Sequence, residues 1–198
     1  MSPYLRTDNQ IDVLISLREV NHQLQRVAQD NSCWKWAIIA MASAANGALT
    51  CNLTGTMQVG ALKCNKLIRD TLSALQSESV DNIPKPWLAT PPDLLKRAQM
   101  QERKEYSGSP IVTTTSQEES FKLLFNLRDE FLHFKPSSQS IEIGSLPFTF
   151  RNVLHIIKQT IDDEWSFRHL ESNSPTSLNI IYGEIMQELD RLDNQAGT

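Results

Sequence analysis
Arg128, Asp129 and His133 form the densest group of chemistry-bearing side chains in this 198-residue chain. With Phe121 at zero and about 100° per residue, Phe121, Leu123, Leu124, Phe125, Leu127, Phe131, Leu132 and Phe134 fall on one broad apolar arc. Arg128 lands inside that arc, at about 340°. A guanidinium there must snorkel outward or meet an anion, because an unpaired buried charge is costly. Asp129, His133 and Asn126 fall on the polar side, at about 80°, 120° and 140°. Asp129 and His133 are four residues apart and can hydrogen-bond, which would fix the imidazole tautomer. Arg128 and His133 are about 140° apart on a regular helix, too far to address one atom. Either the last turn unwinds and swings His133, or two copies of the helix line one cleft across a dimer. The plainer reading of the same residues is a core helix with a snorkelling arginine and a histidine capping its C-terminus, where the dipole favours a cation.

Other motifs carry less. Gly55 and Gly60 have the spacing of half a phosphate loop, but Lys63 comes two positions late and no Ser or Thr follows it. There is no His-Glu-x-x-His and no Gly-x-Ser-x-Gly. His22, His133, His155 and His169 lack metal-ligand spacing, so neither a metal nor another cofactor is expected. Asp162-Asp163-Glu164 reads as a solvated helix face, and Trp34 and Trp36 as core or interface residues.

The elements that must position Arg128 and His133 are helices. Leu occurs 23 times, Val 7 and Gly 7, a balance that favours helices over a sandwich or barrel. Thr7 to Gln10 can form a capping box, followed by the apolar seam Val13, Leu17, Val20, Leu24 and Val27. A second helix runs from Asn31 or Ser32 to about Cys51. Its stripe Trp36, Ala40, Ser43, Gly47 loses bulk along its length, as expected of a central helix that neighbours approach closely. A third runs from about Met57 to Gln76. A Pro-rich excursion around 78–115 follows, with Pro84, Pro86, Pro91 and Pro92 holding the chain extended before a short helix from Pro92 to about Arg103. Ser116-Gln117-Glu118-Glu119 is a capping box opening the helix of Arg128, which Lys135-Pro136 stops near His133 or Phe134. Ile141-Glu142-Ile143 could be extended. Pro147 starts a long helix with Val153 or Leu154, Ile157, Ile161 and Trp165 on one face. Ser174-Pro175 opens the last, with Leu178, Ile181, Ile185, Leu189 and Leu192. These add up to a single domain over residues 1–198, an all-α, up-and-down bundle of six or seven helices.

Composition limits the partners. The net charge is −4, so no broad attraction to a nucleic acid backbone is expected and any such contact must come from a small local site. The three cysteines cannot all pair within one chain, and the first ten residues have no apolar signal core, which fits a reducing cytoplasm. The most apolar stretch, Trp34 to Leu49, contains Lys35, Ser43, Asn46 and Gly47 and reads as a buried helix rather than a membrane span.

The segment Leu127-Arg128-Asp129-Glu130-Phe131-Leu132-His133-Phe134 resembles the signature of the HEPN superfamily, an Arg, a polar residue, three variable residues and a His. Arg128, Asp129 and His133 match it position by position. The continuation Phe134-Lys135-Pro136 with its short Ile-Glu-Ile stretch, and the upstream helix Trp34-Lys35-Trp36-Ala37 through Ala48-Leu49, also resemble a bacterial branch of that family. The likeness covers about a quarter of the chain. It implies a helical bundle, commonly a homodimer with the motif at the dimer cleft, and in active members metal-independent RNA cleavage. Arg128 would then stabilise charge on the phosphoryl oxygens, His133 would move protons, and Asp129 would orient His133. The products would carry cyclic phosphate and 5′-hydroxyl ends. Many such proteins are toxins held by an antitoxin protein or act in phage defence. Others are catalytically quiet, and a member of that kind would bind a nucleotide, small molecule or protein.

Overall fold
The seam Val13, Leu17, Val20, Leu24 and Val27 is buried along its whole length; the first helix, α1 (Asn9–Leu24), carries its first four residues, and Val27 follows in the turns beyond. Six more helices follow in the computed structural model, which describes residues 4, 7–55, 58–77, 82–101, 107–133, 140–170 and 174–196. They are α2 (Cys33–Leu53), α3 (Asn65–Gln76), α4 (Pro91–Ala98), α5 (Thr115–Leu132), α6 (Leu146–Ile161) and α7 (Ser174–Ala196). Among the described residues there is no strand, only an isolated antiparallel bridge between Leu62 and Leu88. The protein is all-α.

Five helices form the bundle. α2 packs on α1, α5 and α6, and α7 closes the ring between α6 and α1. Side-chain partners give the directions. Gly47, late in α2, meets Val13, early in α1; a Cβ at Gly47 would come within 2.7 Å of Val13 Cγ2. Asn21 donates to Glu184 at 3.0 Å, and Arg191 to the Leu24 carbonyl at 3.4 Å, so α1 and α7 run the same way. The Trp34 and Phe150 rings meet edge-on at 5.4 Å, and Asn52 donates to Ser166 at 3.3 Å, so α2 and α6 run together. Asn152 donates to Ser120 at 2.9 Å and Gln159 to the Val112 carbonyl at 2.9 Å, which sets α5 against α6. The order α1, α2, α5, α6, α7 therefore alternates up and down.

α2 is the central helix, and 72% of its most apolar window is buried inside the protein. It is long and apolar enough to cross a membrane by length and composition alone. Its expected close-packing stripe is corrected at two positions, since Trp36 is 54% exposed and Ser43 is exposed. The small side chains at the packed surface are instead Ala37, Ala44, Ala45 and Ala48. The connection from α2 to α5 leaves the bundle at Thr54 and carries α3 and α4. α3 buries only Thr71 and Ala74, whereas α4 packs Leu94, Leu95 and Ala98 against the bundle.

Several expected boundaries move for local reasons. Asp8, not Thr7, caps α1, its carboxylate accepting from the Gln10 and Ile11 amides at 2.9 Å each. The capping box of α5 is Thr114 with Gln117, two residues upstream of Ser116. α3 begins at Asn65, because residues 58–63 form a loop in which Gln58 has φ 54° and Gly60 leaves no room for a Cβ beside the Leu53 carbonyl. Glu142 accepts from the Gly144 and Ser145 amides, so the Ile-Glu-Ile stretch ends as the entry to α6. Trp165 lies in turns beyond the end of α6. The expected helix start at Met57 and the Lys135-Pro136 stop lie outside the described residues.

Cys33 and Cys51 are buried and Cys64 is exposed. Burial pushes the Cys51 thiol up to about 12. Native protein is expected to react with one equivalent of a thiol reagent at pH 8, at Cys64, and with three after denaturation. Rapid native reaction of a second thiol would contradict the packing of α2.

Candidate functional site
α5 places the expected residues. Its buried side is Ser120, Phe121, Leu124, Phe125 and Leu127, where α2 and α6 pack on it. The apolar arc read from the sequence is too wide at two positions. Leu123, at its edge, is 40% exposed, and Leu132, in the last turn beyond the buried run, is 48% exposed. Opposite the core, Lys122, Asn126, Asp129 and His133 are arranged as one exposed polar stripe.

Arg128 behaves as its position in the arc requires. Its side chain is 28% exposed and its guanidinium lies over the Phe125 ring, 5.0 Å from the centroid. Phe125 in turn stacks, tilted, on Phe121 at 4.6 Å. From this seat the fork reaches out to the polar stripe, and Nη2 meets the Asp129 carboxylate at 2.8 Å. Nε is buried and has no hydrogen-bond partner among the described residues. The Asp129 carboxylate therefore holds Arg128, which corrects the expectation that it would hold His133. A half-buried guanidinium needs a counter-charge more than a solvated imidazole does.

His133 is the C-cap of α5, with φ −104° and ψ 93°. Its amide donates to the Asp129 carbonyl at 2.9 Å. The helix stays regular to Leu132 and His133 itself leaves the helical conformation. Asp129 thus touches both of the others, Arg128 through its carboxylate and His133 through its carbonyl. Snorkelling brings the Arg128 fork toward the polar stripe, but His133 stands five residues, about one and a half turns, further on, and no hydrogen bond or ion pair joins the two side chains among the described residues.

A cleft of about 760 Å³ opens beside Arg128 and Asp129, between α4 and α5. Lys122 and Asn126 line it from α5, and Lys96 and Gln99 from α4. Glu118 also lines it and is engaged by Gln99 and Thr113, each at 2.7 Å. Three cations face two carboxylates there, which suits a ligand carrying one or two negative charges.

No protein-family model, curated protein or solved structure matches the chain.

The α4 wall is the part that sequence reasoning missed. Lys96 and Gln99 lie far from the Arg128 turn along the chain, and only the packing of α4 on α2 brings them beside α5. Two other histidines are engaged elsewhere. The His155 imidazole pairs with the Tyr182 hydroxyl at 3.3 Å and that of His22 with Arg26 at 3.4 Å. Among the described residues no three His, Cys, Asp or Glu side chains gather to hold a metal ion.

Proposed function
We propose that the chain is a HEPN-like cytoplasmic protein that cleaves single-stranded RNA without a metal ion, at the C-terminal end of α5 with Arg128 and His133. The observation that carries this reading is the Arg128 guanidinium, seated on Phe125 with its fork at the mouth of the α4–α5 cleft. A ribose 2′-oxygen attacks the adjacent phosphorus, the bond to the 5′-oxygen breaks, and the products are a 2′,3′-cyclic phosphate and a 5′-hydroxyl. Charge builds on the non-bridging oxygens, where a planar fork of donors stabilises it. Imidazole is the side chain suited to move protons near neutral pH, and exposed His133 can take one from the attacking hydroxyl and deliver it to the departing 5′-oxygen. Asp129 keeps the fork aimed, and the incoming phosphate shares or displaces that carboxylate.

A second copy of the chain completes the cleft in this reading. Exposed Leu132 and Trp36 support it, as both are large apolar side chains at the end of the bundle where α5 stops and α2 starts. An antitoxin protein would act by covering the same surface. The test is incubation of purified protein with single-stranded RNA in the presence of a chelator, with the product ends read by mass spectrometry. Cyclic phosphate and 5′-hydroxyl ends support the reading, and intact RNA goes against it.

The Arg128–Asp129 ion pair favours a second reading. A fork already neutralised at 2.8 Å can serve to bind a nucleotide, a small molecule or a protein without chemistry. In that case Arg128→Ala changes ligand affinity or dimerisation and no RNA products form.

A further inference from the structure
Trp87 is 60% exposed, yet its backbone is among the better-held parts of the excursion. The Lys63 amide donates to the Trp87 carbonyl at 2.7 Å, and the Ala89 amide to the Ala61 carbonyl at 2.9 Å. Beneath them Arg97 donates to the carbonyls of Gly60, Leu62 and Lys63 at 3.3, 2.7 and 3.1 Å. Pro84 and Pro86 stiffen the approach. A frame of this kind fixes a large aromatic ring in solvent, where it gains little from burial.

One cation lies over the ring and two others line a cleft beside it. Lys85 Nζ lies 5.3 Å from its centroid, and Lys63 and Lys66 share with it a cleft of about 390 Å³. All three lysines are exposed, and Asp70 is the one acid lining the cleft among the described residues. Lys63 and Lys66 stand at the N-terminus of α3, the positive end of the helix dipole, with no acidic residue in the first turn. Cations at that end are unfavourable unless an anion joins them. Cys64, the N-cap, supplies no side-chain hydrogen bond to the first-turn amides. In a chain of net charge −4 this is the small local site a nucleic acid contact requires.

We infer that the Trp87 cleft binds single-stranded nucleic acid, one base stacking on the indole and the adjoining phosphates meeting Lys63, Lys66 and the start of α3. Stacking on an exposed aromatic tolerates any base, because every base has a π-face, and lysines recognise phosphate as point charges. The cleft is separate from the Arg128 turn and does not depend on its chemistry.

The experiment is fluorescence anisotropy with labelled 12-nucleotide oligothymidylate, the wild type being compared with Trp87→Ala, Trp87→Phe and Lys63→Glu/Lys66→Glu. Trp87→Ala is expected to weaken binding roughly 10- to 100-fold, and Trp87→Phe to restore most of it. The lysine double variant is expected to lower the log–log salt slope by about 1.4, ~0.7 for each phosphate that a lysine no longer neutralises. Oligothymidylate has no 2′-hydroxyl and is not cut by the proposed chemistry, so failure of RNA cleavage and failure of this site are read separately. Absence of wild-type binding, or equal binding by Trp87→Ala, overturns the inference and leaves the Pro84–Trp87 segment as a handle for a protein partner. Trp87 is exposed, so loss of binding through misfolding is checked by an unchanged thermal melt.

Discussion

Arg128→Ala is expected to lower the rate of the proposed RNA cleavage roughly 10²–10³-fold, the size of effect seen when one donor to a developing oxyanion is removed. The reasoning starts from the seat of the guanidinium. Phe125 holds it from below and Asp129 from the side, so its orientation is set before any phosphate arrives. Donors that are already oriented need no reorganisation in the transition state, and this is where their contribution comes from. Arg128→Lys is expected to recover only a small part, because an ammonium offers a point charge where the phosphoryl oxygens need a fork. His133→Ala is expected to cost roughly 10²–10⁴-fold through loss of proton transfer. The double variant should be no slower than the worse single one by more than a small factor, since two groups that act in one step do not add. The measurement is single-turnover cleavage of end-labelled RNA, with protein in excess and chelator present. Equal rates for wild type, Arg128→Ala and His133→Ala would remove both residues from any chemistry and leave α5 as a structural helix.

Much of the bundle can be read from periodicity, because its outer helices each have one wet and one dry side. The seam of α1 is an example, with Val13, Leu17, Val20 and Leu24 all fully buried. Val153, Leu154 and Ile157 of α6 are buried as expected too. The face of α2 cannot be read in the same way. A helix packed on three sides loses the contrast that periodicity needs, so Trp36 and Ser43 read as packed positions although both are exposed. In α5 the apolar position of Arg128 announces a snorkelling side chain, and the structure contains one. What it reaches is not announced, since a helical wheel does not rank an adjacent residue at 80° against one at 120°. Burial decides for Asp129. The α4 wall and the Trp87 cleft are long-range products of the α2–α5 connection. Local pattern gives Pro-rich and extended for that segment and says nothing of what it lies against.

Phe125→Ala is expected to destabilise the protein by about 3–5 kcal/mol, the usual cost of emptying a buried aromatic site. Phe125 is 5% exposed and its ring meets Phe121 at 4.6 Å on one side and Arg128 at 5.0 Å on another. For a chain of this length each kcal/mol lowers the melting temperature by roughly 2–4 °C, so a fall of about 6–20 °C is expected. Stability alone does not show that the ring serves the site. Phe125→Leu separates the two effects. Leucine fills most of the volume, so the expected loss is only about 1–2 kcal/mol. It has no π-face, however, and the guanidinium loses the surface that fixes its direction. Phe125→Leu should therefore fold, melt within a few degrees of the wild type, and still show a clear drop in RNA cleavage or in affinity for the α4–α5 cleft. Urea unfolding gives the first quantity, and single-turnover cleavage or ligand titration gives the second. If Phe125→Leu matches the wild type in both, the ring is only core filling. The orientation of Arg128 would then come from Asp129 alone, and Asp129→Asn would become the substitution that disorders the fork.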